Sequence, residues 1–254
     1  LAFLHPPPTV EQLPDGGDWW SPQRREIRRR PALKKIQAKL QSALIGSDLE
    51  LFVRATTRLA GTGRLLDVGC GDGALLQLAS GRLQGCGVEP SPKTAARARE
   101  RGFEVINETI EQAELPSDHF DVITMYSVIE HLADPVSVVH QLARAARAGG
   151  ILAVCTPKYR GPTWRLRGAG WNGYRVGYHT FFFTAATLGR VMADAGFEVL
   201  RSPRRNRPLD DILILWGRRA SLSGRPRRLP ARVPHGSGGA EFPHPAPQAH
   251  GFAA

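Results

Sequence analysis

Leu65-Leu66-Asp67-Val68-Gly69-Cys70-Gly71-Asp72-Gly73 decides how the rest of the 254-residue chain is read. Arg64 to Val68 is a mostly apolar run of strand length, three glycines follow at alternate positions, and Ala74 to Ala79 reads as the first turns of a helix. A strand that passes into a helix through glycines brings backbone N–H groups close to a ligand. Asp67 places a carboxylate at the carboxyl end of that strand, which is where open α/β sheets bind ligands. A glycine turn with no ligand would leave such a carboxylate buried without a reason.

Gly69-x-Gly71-x-x-Ala74 also satisfies the dinucleotide fingerprint, a weak match when it stands alone. Two features argue against NAD. An acid precedes the first glycine, where a dinucleotide strand usually stays apolar, and the third glycine comes one position early, at Gly73. A second acid, Glu89, ends the next predicted strand, Gly85 to Glu89. Asp-x-Gly-x-Gly-x-Gly followed by such an acid resembles the class I S-adenosylmethionine (SAM) methyltransferases. A carboxylate at Glu89 suits the two ribose hydroxyls in either family.

Working outward, the chain alternates strands and helices. Ser91-Pro92 reads as a helix cap with proline at the first helical position, and Gly102 ends that helix. Phe103 to Ile106 and Phe120 to Met125 are predicted strands, with Asn107 to Glu114 a loop or single turn between them. Asp134-Pro135 opens a helix expected to end at Gly149-Gly150, and Ile151 to Cys155 is the fifth strand. An aromatic and glycine-bearing stretch, 156–183, precedes a helix capped by Thr184. Gly196 to Leu200 and Asp211 to Trp216 then read as two last strands, plausible as a hairpin. Strands alternating with helices imply a parallel sheet with right-handed crossovers. On the amino-terminal side, Ser47-x-x-Glu50 is a capping box for a helix over about 48–60, whose Leu51, Phe52, Ala55 and Leu59 share one face.

The ends differ from this centre. The net charge is +11, but residues 61–200 carry 14 basic and 14 acidic side chains, and the excess lies in residues 1–60 and 201–254. A nucleic-acid enzyme would concentrate basic charge on its core, so no specific nucleic-acid partner is expected. The ends read as solvated, with weak contact to an anionic surface as the functional alternative. Residues 1–20 are proline-rich and expected to be irregular, with Asp18-Trp19-Trp20 either packed on the core or serving as a lid. Residues 22–44 are basic and helical in pattern, interrupted by Pro31. From Gly217 on, Arg, Pro and Gly dominate, a composition expected to be disordered. The expected organisation is an arm and helix over 1–47, a SAM-dependent domain over 48–217 and a basic tail over 218–254. Cys70, Cys86 and Cys155 form no C-x-x-C pair, so no metal and no disulfide framework is indicated, which suits a reducing, cytoplasmic setting. No transmembrane run is present, and Leu1 to His5 is too short for a signal peptide. Without an initiator Met, the natural amino terminus is expected upstream.

Tyr126-Ser127-Val128-Ile129-Glu130-His131-Leu132-Ala133-Asp134-Pro135 and Glu108-Thr109-Ile110-Glu111 resemble the subgroup that includes the ubiquinone-biosynthesis O-methyltransferases. Gly170-Trp171-Asn172-Gly173, His179, Phe182 and the Thr187-Leu188 helix ending at Ala195-Gly196-Phe197 are similar to the broad bacterial branch of that subgroup, the type 23 methyltransferases. The resemblance covers roughly 48–217 and implies a Rossmann-like, doubly wound, seven-stranded, mostly parallel sheet with a terminal antiparallel strand, plus an amino-terminal helical extension. It implies SAM as cofactor and a small-molecule or lipid-linked acceptor, most simply an oxygen. In the cofactor site it places Asp67, Gly69, Cys70, Gly71 and Gly73 at the turn, Glu89 and Pro90 at the ribose, Ile110 and Glu111 at the adenine, and Met125 and Ser127 at the sulfonium. The quinone enzymes carry a further Glu in the strand-four loop that helps hold a divalent metal. Ser127 stands at that position here, which puts both the metal and a catechol-like acceptor in doubt.

Methyl transfer from a sulfonium is an in-line displacement with a good leaving group, so alignment and exclusion of water matter most. An O–H acceptor also loses a proton, which an imidazole is suited to take. His131, with Glu130 to orient it, and His179 are the candidates. The rival classes are a NAD(P)-dependent oxidoreductase and a non-catalytic SAM-fold scaffold acting through its basic ends.

Overall fold

A computed structural model of the chain describes residues 2–3, 48–171, 173–174, 179–200 and 211–220. The expectations for the Trp19-Trp20 lid, the basic helix over 22–44, the Ser47 cap and the tail beyond 220 lie outside the described residues, while Gly217 to Arg219, expected to begin that tail, are instead held in the last strand by pairing on both sides.

The elements follow in chain order. β1 is Ala2–Phe3 and α1 spans 48–60. β2 (Gly63–Val68), α2 (Ala74–Ala79), β3 (Leu83–Val88), α3 (Pro92–Glu100) and β4 (Glu104–Ile106) come next. β5 (Phe120–Tyr126) leads through a 3-10 turn at Ile129–His131 to α4 (Pro135–Ala145) and β6 (Ala146–Pro157). The chain closes with α5 (Pro162–Arg167), β7 (Phe181–Phe182), α6 (Ala185–Asp194), β8 (Phe197–Leu200) and β9 (Ile212–Arg219).

Seven strands form one sheet in the order β4-β3-β2-β5-β6-β9-β8. Pairings among β2 to β6 are parallel, while β9 runs antiparallel to both β6 and β8. The expected fold class is therefore observed, with the antiparallel strand last in the chain but second from the edge of the sheet. β8 and β9 pair as a hairpin would.

Both faces of the sheet are covered, which is why its central strands carry few polar residues. On one face Phe52, Leu75, Leu76 and Ala98, from α1, α2 and α3, pack on Leu65, Val122 and Ile151. On the other, Val138, Leu142, Leu188 and Met192, from α4 and α6, pack on Leu66, Ile123 and Leu152. α1 is fixed by more than apolar contact. The Trp216 Nε1–H donates to Thr56 Oγ1 at 3.0 Å, and the Phe52 and Trp216 rings stack with centroids 6.4 Å apart. Ser91 caps α3, Asp134 caps α4, and Thr184 with Thr187 makes a reciprocal capping box on α6.

Two differences from the sequence reading have local causes. α4 ends at Ala145 and β6 begins at Ala146, well before Ile151. Ala146 pairs with Phe120 and Ile151 with Val122, so the intervening residues bulge from the ladder. The glycines taken as a helix stop belong to that bulge, with Gly149 at φ 79. The second difference is at the amino terminus. Ala2–Phe3 is not irregular but pairs antiparallel with β7, Ala2 opposite Phe182 and Phe3 opposite Phe181.

Candidate active site

The glycine turn closes on itself before it meets any ligand. The Gly69 and Cys70 N–H groups both donate to the Val88 carbonyl, at 2.7 and 3.1 Å, which fastens the end of β2 to the end of β3. Gly69, Gly71 and Gly73 have φ of 69, 56 and 82, a region side chains rarely adopt. Their surroundings differ. A Cβ on Gly69 would meet Val128 at 2.6 Å, and one on Gly73 would meet Phe103 at 3.0 Å and Ala98 at 3.3 Å. Only at Gly71 is there open space, nothing lying within 4 Å. Gly71 is thus the one glycine of the three whose bareness faces a vacant volume.

That volume is a cleft lined by the Asp67 to Asp72 turn, Leu75, Glu89, Ser91, Thr94, Tyr126, Ser127, Val128 and, from α1, Leu49. Two carboxylates stand in it. Glu89, 3% exposed, accepts from the Gly71 and Ser91 N–H groups, both at 3.0 Å. Asp67, 2% exposed, accepts from Thr124 Oγ1 at 2.7 Å. Neither has a cationic partner among the described residues. Burial pushes the Asp67 carboxyl up to about 7, the Thr124 hydrogen bond opposing and the Glu89 charge adding to the rise. Burial also raises Glu89, against its two backbone hydrogen bonds. Two adjacent buried acids with no cation are arranged for a ligand that brings positive charge. The Cys70 thiol, buried and close to both acids, is pushed well up and is no nucleophile.

Of the expected cofactor residues, Asp67, Gly69, Cys70, Gly71, Glu89 and Ser127 line the cleft, whereas Gly73, Pro90, Ile110, Glu111 and Met125 do not. Ile110 and Met125 are core residues, 4% and 0% exposed. Glu111 is exposed and accepts from the Ala133 N–H at 3.4 Å. The Pro90 carbonyl accepts from Asn107 Nδ2. Leu49, Ser91, Thr94 and Tyr126 were missed. Ser91 had a visible signal as a helix cap directly after Glu89, but no pattern marks Leu49, which reaches the cleft only because α1 folds over it.

Ser127 has φ 57, unusual for a residue with a side chain, and its N–H donates to the Cys155 carbonyl at 2.8 Å. This kinked end of β5 turns the chain into the 3-10 segment carrying Glu130 and His131. Glu130 is 1% exposed, with Oε2 accepting from Thr156 Oγ1 at 2.9 Å. The Glu130 carbonyl accepts from the Thr180 N–H at 2.8 Å, which draws the segment before β7 onto the β5 loop. His179 arrives with it. The His131 and His179 rings meet edge to face, centroids 4.8 Å apart at 74°. His179 Nδ1 lies 2.8 Å from the Gly173 carbonyl, an acceptor, so Nδ1 carries a hydrogen and donates it there. The structure therefore brings the three expected catalytic residues together, though nearly fifty positions separate the two histidines in sequence.

Glu130, His131 and His179 are also the residues that could hold a metal, with one donor atom from each lying within 4.8 Å of the others. Two donors on one ion with bonds of about 2.1 Å can be no more than about 4.2 Å apart. A set within 4.8 Å needs at most a small contraction to ligate an ion, and the same residues can handle a proton. Beyond it, Tyr159, Trp164, Trp171, Tyr174 and Phe182 form a connected group of rings. Trp164 Nε1–H donates to Tyr174 Oη at 2.6 Å and Trp171 Nε1–H to Asp211 Oδ1 at 3.1 Å.

Comparison with known proteins agrees with this geometry. Residues 36–202 match the family described as "Methyltransferase domain". The ubiquinone biosynthesis O-methyltransferases of Salmonella arizonae and Salmonella typhimurium are each 34% identical over 113 residues, 41% of this chain and 46% of theirs. The chain thus spans about half the length of these curated relatives. Among solved structures, a SAM-dependent methyltransferase of Thermotoga maritima, described as a possible histamine N-methyltransferase, superposes with TM-score 0.57 at 22% identity, over 73% of this chain and 97% of that one. A SAM-dependent methyltransferase of Mesorhizobium loti gives 0.53 at 20% identity, over 66% and 95%. At these identities the two likenesses speak for the fold.

Proposed function

This chain belongs to the methyltransferase domain family, a class I SAM-dependent enzyme, and from that membership we propose that it methylates an oxygen of a small-molecule or lipid-linked acceptor with His131 as the base. The observation that carries the reading is that half-buried His131, three residues beyond the cleft-lining Val128, packs against buried His179. The O-methyltransferase names of the 34%-identical relatives support oxygen as the acceptor atom.

SAM, when bound, supplies a methyl group on a positively charged sulfur. Glu89 is held by two backbone N–H groups with lone pairs left on both carboxylate oxygens, enough to accept from two ribose hydroxyls. Asp67 offers the negative charge that offsets the cation, and Gly71 leaves room for it. On the other side of the loop, His131 accepts the proton that an attacking hydroxyl must lose as its oxygen bonds to carbon. His179, oriented by its Nδ1 contact with the Gly173 carbonyl, packs its ring against that of His131. The aromatic group over Tyr159–Phe182 gives the acceptor side an apolar wall, and excluded water leaves the displacement as the open route.

The test is to incubate the protein with methyl-labelled SAM and a panel of phenols, alcohols, amines and active-methylene compounds. Label in an ether or ester product supports the reading. Label confined to amine or carbon products contradicts it.

A further inference from the structure

A second hollow, about 660 Å³, lies at the opposite end of the strands. It is framed by the amino ends of β2, β3 and β5 and by the bulge that opens β6, roughly 16–20 Å along the strands from the cofactor cleft. Arg64, Arg82, Arg147 and His119 stand around it, with Asp121 and Asp118.

The carboxylate at its floor is already engaged. Asp121 accepts from the Arg64 N–H at 2.8 Å through Oδ2 and from Arg147 Nη1 at 3.0 Å through Oδ1. It lies so close to Gly63 that a Cβ there would fall 2.3 Å from Oδ2. The bulge places Arg147 for this contact, a use to which bulges are often put. The other two guanidiniums are not matched by carboxylates among the described residues. Arg64 Nη1 lies 3.3–3.4 Å from the His119 ring nitrogens, a contact that neutralises no charge, and Arg82 is exposed on the rim. A concave site with two uncompensated guanidinium forks suits an anion with several oxygens, since guanidinium pairs with phosphate through parallel hydrogen bonds. Its volume is that of a small-ligand pocket. An open hollow with a few guanidiniums at one end of the sheet differs from the extended basic stripe that tracks a nucleic-acid backbone.

We propose that this hollow binds a small phosphate-bearing molecule, at a site separate from the SAM cleft, with Arg64 and Arg82 as its anion-binding residues. The test is calorimetric titration of the full chain with inorganic pyrophosphate, beside an Arg64→Gln/Arg82→Gln variant and an Arg82→Gln single variant. Saturable binding with a dissociation constant of about 1 mM or tighter, weakened about tenfold or more in the double variant, is expected. SAM affinity and melting temperature should stay unchanged. If Arg64→Gln lowers the melting temperature, Arg82→Gln, on an exposed turn, still has to weaken pyrophosphate binding. No saturable binding, or binding the variants leave untouched because the basic ends take up the anion, overturns the proposal. So does a single-stranded RNA oligomer that binds the wild type more tightly than pyrophosphate and loses that binding in the variants, which would make the hollow part of a nucleic-acid surface.

Discussion

Asp67 and Glu89 are buried carboxyls that no described cation offsets, and the cost of ionising them is measurable in the ligand-free protein. The folded-state pKa of Asp67 is raised to about 7 from 3.8. Between those values the native state binds more protons than the unfolded one, so this residue's contribution to stability is complete below about pH 4 and is lost as pH rises through 7. Asp67→Asn keeps an acceptor for the Thr124 hydroxyl and removes the charge. At pH 8 it should raise the melting temperature of the ligand-free protein, by at most about 4 kcal/mol of stability, while weakening SAM binding. Glu89→Ala removes the acceptor of two ribose hydrogen bonds and should cost about 2–3 kcal/mol of SAM binding, roughly 30- to 150-fold. An unchanged dissociation constant would take Glu89 out of the site. His131→Ala should lower turnover by roughly 10²–10⁴-fold with SAM affinity close to wild type. The wild-type rate should rise with pH through imidazole deprotonation and level off. If His131 only shapes the loop, affinity falls with rate and the pH profile of the variant keeps its form.

At the scale of elements, the strand–turn–helix unit was legible and the long-range contacts were not, for a physical reason. The strand, glycine turn and helix from Gly63 to Ala79 are determined locally, by apolar run, positive φ and periodicity, and they form where those signals put them. The α4 to β6 junction was misplaced because a Gly-Gly pair stops a helix and makes a bulge equally well, and only the pairing of Phe120 with Ala146 decides between them. The His131–His179 contact depends on the Thr180 N–H reaching the Glu130 carbonyl, a long-range bond with no sequence signature. The same limit applies to Ile110 and Met125, expected beside the cofactor, whose side chains here fill the core. Local signals also carry energy that can be tested. Thr184 and Thr187 cap α6 reciprocally, and α6 packs on β8 and β9. Thr184→Ala should therefore cost about 1 kcal/mol of stability, read as a shift in the denaturation midpoint with no change in SAM affinity. A shift of zero would mean the cap is replaced by solvent.

At the scale of the molecule, the sheet sorts chemistry by strand end. The carboxyl ends of β2, β3 and β5 gather the acids, the glycine turn and the histidines, as expected of an open α/β sheet, and the amino ends gather arginines. No helix among the described residues is long and apolar enough to cross a membrane. The measurement that bears most directly on the whole account is calorimetric titration of the wild-type protein with SAM at pH 6 and pH 8. Because the cation should bind against the ionised form of Asp67, SAM affinity should be higher at pH 8, and binding should release a proton to the buffer at pH 6. The Asp67→Asn variant should show weak binding with little dependence on pH, and NAD should give no saturable heat with either protein. SAM affinity that is equal at both pH values in the wild type, or saturable binding of NAD in place of SAM, would contradict the assignment of this cleft.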